Sequence, residues 1–198
     1  MSYQRLSKEA IRELPLFLGL DLSAVSIVDN EVALDAAKGA LLGADVLGFD
    51  SESKPVFIKG EVSQGPHLIQ LSTLSHAYLF PTHFQPGLDC ALAILGSANI
   101  EKVGFGLKDD KKLFRDKYKI ELVNTCDLAK KLIPISQQKQ QVGAKAAVAM
   151  VLGARLSKSA QQSNWSNHQL TEQQIKYAAN DAYSALYIKL KLQSEALL

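Results

Sequence analysis

Asp50 and Glu52 stand one residue apart in the segment FDSES, directly after the apolar run VLGF. In a strand such a spacing turns both carboxylates to the same face. Two like charges held that close raise each other's pKa and cost stability unless something neutralises them. A divalent cation does so, and hard ions such as Mg²⁺ and Mn²⁺ take carboxylate oxygens as ligands. The pair alone is weak evidence for this, since a solvated strand end with acidic turn residues gives the same pattern.

Two further groups carry acidic chemistry. In YAAND, Tyr177 and Asp181 are spaced i, i+4, so on a helix they lie one above the other. Ile175, Ala178, Ala182, Ala185 and Leu186 read as an apolar stripe beside them, which predicts that this face is at least partly buried. A structural carboxylate bonded to a neighbouring loop and a core tyrosine with a satisfied hydroxyl would give the same pattern. In VGFGLKDDKKLF, a strand passes through Gly104 and Gly106 into a helix whose first turn bears Asp109 and Asp110. Acidic residues there also serve the helix dipole. Position 109 is Asp, where a dinucleotide fingerprint needs its third glycine, and no G-x-x-x-x-G-K-[ST] phosphate loop occurs.

The elements that must position these groups are legible from pattern. The helical stretch SKEAIRELP is ended by Pro15 and opens an N-terminal arm, residues 1–22. SAVSIVD reads as a strand, and Asp29 or Asn30 can cap the Ala-rich helix that follows. DVLGFDSES, PHLIQLSTL and HAYLFP predict an antiparallel meander. Helix LDCALAILGS, strand KVGFG, helix LKDDKKLFRDKY and a strand around IELVNTCD then alternate. The remainder reads as helical: DLAKKLIP ending at Pro134, QVGAKAAVAMVLG stopped by Gly153, and a long last helix capped by Thr171 with Gln174 three residues on. The expectation is an α/β domain over residues 23–198, a mixed sheet of antiparallel and parallel strands flanked by helices.

Composition narrows the partners. With 198 residues, 47% hydrophobic and 21% charged, the chain has ordinary globular composition. Lys plus Arg number 22 and Asp plus Glu 20, a net charge of +2. The pI near 8.4 lies below the value of about 9 usual for binding nucleic acid by bulk charge. A phosphate partner must therefore be held locally or through metal ions. Cys90 and Cys126 make neither a disulfide framework nor a zinc site and are expected to be buried thiols. No apolar run reaches the ~18 to 20 residues of a membrane span, and the N-terminus lacks an apolar signal region, so an intracellular location is expected, cytoplasmic or nuclear according to cell type.

In order and combination these groups resemble the DEDD family of 3′-5′ exonucleases, in its tyrosine-type branch with ribonuclease D and the Werner syndrome exonuclease domain. Asp50 and Glu52 match the first motif, Asp110 the second with Asp109 as the alternative, and Tyr177 and Asp181 the third. The histidine-type branch would carry His at the position of Lys176. KSAQQSNWSNHQLTEQQ is similar to the loop and helix start of Werner-type proteins. Ser53 and Lys112 depart from the pattern, standing where relatives carry aromatics that contact the substrate end.

The resemblance implies a ribonuclease H-like fold and hydrolysis of DNA or RNA from the 3′ end, releasing nucleoside monophosphates with two divalent cations, Mg²⁺ or Mn²⁺. It implies that Asp50, Glu52 and Asp181 hold one cation, that Asp50 bridges to a second supported by Asp110, and that Tyr177 orients the attacking water. The implied partner is a single-stranded or 3′-recessed nucleic acid. No helicase or helical RNA-binding segment is read, so targeting is expected to come from a protein partner.

Lys108, Lys111, Lys112, Arg115, Lys117 and Lys119 form a basic run that either lines the approach of a strand or is a solvated helix face. Trp165 either stacks on a base or anchors its loop. The four histidines show no ligand spacing. A catalytically silent binding module on the same fold is the alternative function, disfavoured because all the acidic positions are present.

Overall fold

The segment VLGFDSE forms strand β2 (Val46–Glu52), and its two faces meet different layers of the molecule. Leu47 and Phe49 enter an apolar core with Leu34, Leu41, Ile94 and Phe114. Gly48, Asp50 and Glu52 alternate with them and therefore face the opposite side. The computed structural model describes residues 3–56, 64–157 and 160–198. Lys158 and Ser159, which open the loop singled out in the sequence, lie outside the described residues.

One six-stranded sheet is built from β1 (Val25–Ile27), β2, β3 (Leu68–Ser72), β4 (Ala77–Pro81), β5 (Glu101–Gly104) and β6 (Thr125–Asp127), in the order β1-β4-β3-β2-β5-β6. β2, β3 and β4 are the expected antiparallel meander, with Asp50 opposite Gln70 and Glu52 opposite Leu68. β1 joins β4, β5 joins β2 and β6 joins β5 in parallel. Helices α2 (Glu31–Leu41), α3 (Gln85–Gly96) and α4 (Lys108–Tyr118) cover the Phe49 side, where Phe49 meets Phe114 edge-on at 6.0 Å. Cys126 is buried as expected, whereas Cys90 lies half-buried on the flank of α3.

The other face is covered by the long helix α7 (Glu172–Ser194). Its N-terminus is set by the predicted capping box: Thr171 accepts from the Gln174 backbone and the Gln174 side chain accepts from the Thr171 N–H. Ala178, Ala182 and Ala185 are buried against the sheet, and small side chains let the helix come close. At Gly48 the approach is so tight that an added Cβ would lie 2.0 Å from the Ala182 carbonyl oxygen and 2.6 Å from Ser72 Oγ. Glycine is required there by contact and not by backbone angle.

Two expected helix ends differ. α5 (Leu128–Ser136) runs past Pro134, because a proline in the last turn forfeits little; the Ser136 hydroxyl donates to the Leu132 carbonyl at 2.6 Å and Gln137 closes the helix in the left-handed region. The apolar helix expected before Gly153 is α6 (Ala144–Ala147) continued by a wider π turn over Val148–Leu152, ended at Gly153 with φ +64°. The strand expected around IELVNTCD is shortened to β6.

The arm is stitched to the domain. Its helix α1 (Lys8–Glu13) starts at Ser7, whose hydroxyl accepts from the Ala10 N–H at 3.1 Å. The Phe17 N–H donates to the Arg155 carbonyl at 2.9 Å, the Arg155 N–H to the Pro15 carbonyl at 2.8 Å, and the Arg155 guanidinium to the Leu14 carbonyl at 3.0 Å. Among the described residues no helix is long and apolar enough to cross a membrane.

Gly48→Ala is expected to cost about 2 kcal/mol or more, because the new methyl meets backbone that cannot rotate away. For a domain of this size that lowers the Tm by about 4 °C or more. Thermal unfolding checks it, and a Tm within 1 °C or so of wild type would refute a tight seating of α7.

Candidate active site

Alternation along β2 and the i, i+4 spacing on α7 converge on one spot. Carboxylate oxygens of Asp50, Glu52 and Asp181 all lie within 4.8 Å of one another. Asp110, in the first turn of α4, stands beside this trio and not within it. Ser51 connects them: its N–H donates to Asp50 Oδ1 at 2.9 Å and its hydroxyl to Asp110 Oδ1 at 2.6 Å. Asp109 is exposed, so of the two acidic residues in GLKDD it is Asp110 that turns inward.

The electrostatics are those of unneutralised neighbours. Burial, then the charges of Asp181, Glu52 and Asp110, push Asp50 well above the usual carboxylate range, with the Ser51 N–H opposing. Burial and the charges of Asp181 and Asp110 raise Glu52 to about 8. Asp181 rises to about 6 through burial, opposed by the Tyr177 hydroxyl and the Lys145 ammonium. Burial also raises Asp110, opposed by its bond from Ser51. The Tyr177 phenol is pushed far up by burial and then by Asp181 and Glu52, so it remains a neutral O–H. An oxygen-only donor set, strongly anionic and held on a strand and a helix, fits a hard divalent cation.

Tyr177 is positioned by what lies behind it. The Gln174 amide donates to Ser163 Oγ at 3.1 Å and to the Asn164 carbonyl at 3.3 Å, tying the preceding loop to the start of α7. That loop inserts Trp165, whose ring centroid lies 6.0 Å from that of Tyr177. At 2% exposure Trp165 offers no face to a base. The loop-anchor reading is the one its burial supports.

Asp50, Glu52, Asp181 and Tyr177 line an open cavity of about 560 Å³. Its cationic lining comes from Arg5 and Lys145, neither of which the sequence reading singled out. Lys145 had a signal, a lone charge at the start of an apolar helix; Arg5 had none, because only the folding back of the arm brings it there. Lys108 and Lys111 instead line a separate concavity shared with Asp109, Asp116 and Asp127. The reason is the facing of α4: Phe114 is buried against Phe49, and two more members of the run are engaged, Lys112 with Asp116 and Arg115 with Glu121.

A family model described as 3′-5′ exonuclease matches residues 25–196. The mouse bifunctional 3′-5′ exonuclease/ATP-dependent helicase WRN is 34% identical over 181 residues, which are 87% of this chain and 12% of that protein. The human exonuclease mut-7 homolog is 28% identical over 185 residues, 80% of this chain and 21% of that protein. The chain thus spans a minor part of the length of both relatives. Among solved structures, the EXO domain of Aedes aegypti Nibbler is similar with a TM-score of 0.73 at 25% identity, covering 90% of this chain and 95% of that one. Escherichia coli RNase D, an exoribonuclease involved in structured RNA processing, gives 0.72 at 25% identity, covering 86% and 44%.

The raised carboxylates have a consequence for stability. Glu52 binds its proton more tightly in the folded chain, at about 8, than at its ordinary value of 4.5. The metal-free protein therefore loses stability as the pH rises from about 4.5 towards 8. In EDTA, wild type should lose more Tm between pH 5 and pH 8 than Glu52→Gln, by about 4 °C, equivalent to some 1–2 kcal/mol. Mg²⁺ or Mn²⁺ should restore the wild type at pH 8 and leave the variant unmoved. Parallel pH profiles for the two proteins would sink this account.

Proposed function

The chain belongs to the 3′-5′ exonuclease family, and on that premise we propose that it removes nucleotides singly from the 3′ end of single-stranded or 3′-recessed DNA or RNA and releases nucleoside 5′-monophosphates. The observation that carries this reading is the convergence of Asp50, Glu52 and Asp181 within 4.8 Å at the floor of an open cavity. Asp50, Glu52 and Asp181 would hold one divalent cation, Mg²⁺ or Mn²⁺, and Asp50 with Asp110 a second. Bound there, such ions supply charge for the phosphate, an activated water and a stabilised leaving oxygen.

The protein's own groups do the rest. Ser51 holds the Asp50 and Asp110 carboxylates from its N–H and its hydroxyl, which keeps two elements of the site in register. Tyr177, held neutral by burial and then by its acidic neighbours, acts as a donor that orients the attacking water and not as its base. Lys145, close enough to Asp181 to oppose its rise, places a cation where the phosphodiester enters. The buried Trp165 braces Tyr177 from behind. The cavity is open, as a polymer end requires, and a protein partner would direct the activity inside the cell.

The test uses single-stranded DNA and RNA labelled at the 5′ end. A ladder shortening from the 3′ end in Mg²⁺ or Mn²⁺, lost in EDTA and in Asp50→Asn, is expected, and the faster substrate identifies the preferred sugar. An undegraded label with every strand and metal would leave the silent binding module. Tyr177→Phe is expected to lower kcat about 10²-fold while KM stays within about twofold, the range for loss of one proton-positioning group. A KM effect with unchanged kcat would assign Tyr177 to binding instead.

A further inference from the structure

A second cavity, about 760 Å³, adjoins the acidic one, with Arg5, Lys145, Ala146 and Leu156 forming walls of both. Its described lining includes five cations, Arg5, Lys8, Arg12, Lys145 and Arg155, and no acidic residue. The concentration is not a property of the surface at large, since the net charge is only +2. Local helical spacing produces it. Lys8, Ile11 and Arg12 are spaced i, i+3, i+4 and share the groove face of α1, whereas Glu9 and Glu13, exposed and also spaced i, i+4, point elsewhere.

The groove is built, not incidental. Arg155 is held by the Leu14 carbonyl, and the backbone bonds around it fix the arm on the domain. Arg5, Lys8 and Arg12 take part in no ion pair among the described residues, so their charges are available to a ligand. A row of cations leading away from carboxylates that receive a 3′ terminus matches a chain of phosphates, one negative charge per nucleotide. The arm precedes the span matched by the family model, which begins at residue 25.

We propose that the groove between the N-terminal arm and residues 145–157 holds the phosphate backbone of single-stranded nucleic acid upstream of the 3′ end. This rests on the reading of the acidic cavity as the seat of that end. Lys8 and Arg12 line the second cavity and not the first, so they serve long strands and leave short ones untouched.

The test is binding of 3-nucleotide and 12-nucleotide single strands to the full chain, as wild type and as Lys8→Ala/Arg12→Ala, across a salt series. The variant should bind the 12-mer about tenfold more weakly and the 3-mer within twofold of wild type. The slope of log affinity against log salt should become shallower by about 1.4, or about 0.7 for each lost phosphate contact. Glu9→Ala/Glu13→Ala is the charge control and should leave 12-mer affinity within twofold. Unchanged 12-mer affinity, equal losses on both lengths, an opposite shift of equal size in the control, or no binding of the 12-mer by wild type would each overturn the proposal. If wild type hydrolyses neither strand yet the length-dependent loss appears, the catalytic reading falls and the groove stands.

Discussion

The seating of α7 on β2 is the contact on which the rest depends. At Gly48 the strand presents only hydrogen to the Ala182 carbonyl, and an added methyl would meet it at 2.0 Å. The next residue of the helix before that carbonyl is Asp181, and the next residue of the strand on that face is Asp50. A helix held further off by one side chain would carry Asp181 away from Asp50 and Glu52, and the trio within 4.8 Å would not exist. The alanines at 178, 182 and 185 are the helix's half of the same requirement, since a branched side chain at any of them would wedge the layers apart.

That tight seating creates an electrostatic debt. Burial raises Asp50, Glu52, Asp110 and Asp181 together, and the charges of the neighbouring carboxylates add to it at Asp50 and Glu52, so the metal-free site resists being fully ionised. The surrounding structure holds them despite this: the meander that places Asp50 opposite Gln70, the Thr171–Gln174 capping box that starts α7, and the Ser51 bonds to the Asp50 and Asp110 carboxylates that tie β2 to α4. A cation converts the same repulsion into affinity, and the field that would repel a polyanion becomes one that receives it. In the proposed function acidic and basic groups would divide the work, the carboxylates at the 3′ end and Arg5, Lys145 and the arm along the strand leading from it.

Much of this was legible in the residues. The order of strands and helices follows from periodicity and turn chemistry, with Asn30 and Thr171 capping the helices they precede. Asp50 with Glu52 and Tyr177 with Asp181 are local patterns, readable because spacing alone places their side chains on one face. Pro134 misled because its penalty depends on position within the helix, and here it lies in the last turn. Trp165 was ambiguous because an indole serves equally as platform or anchor, and only its 2% exposure distinguishes them.

The basic residues show where local reading stops. A run of like charges on α4 stands out in the sequence, yet Phe114 fixes which way that helix faces and turns Lys108 and Lys111 towards a different concavity. Arg5 and Lys145 are 140 positions apart along the chain, counting 145 − 5, and line one cavity because backbone bonds between Arg155 and the arm fold the terminus back. The sequence by itself determined the order of the elements and the pairing of Asp50 with Glu52 and of Tyr177 with Asp181, since these are encoded in spacings of a few residues. The tertiary structure alone decided which cations join them, because the reach of a charge is set by distance through space and not by separation along the chain.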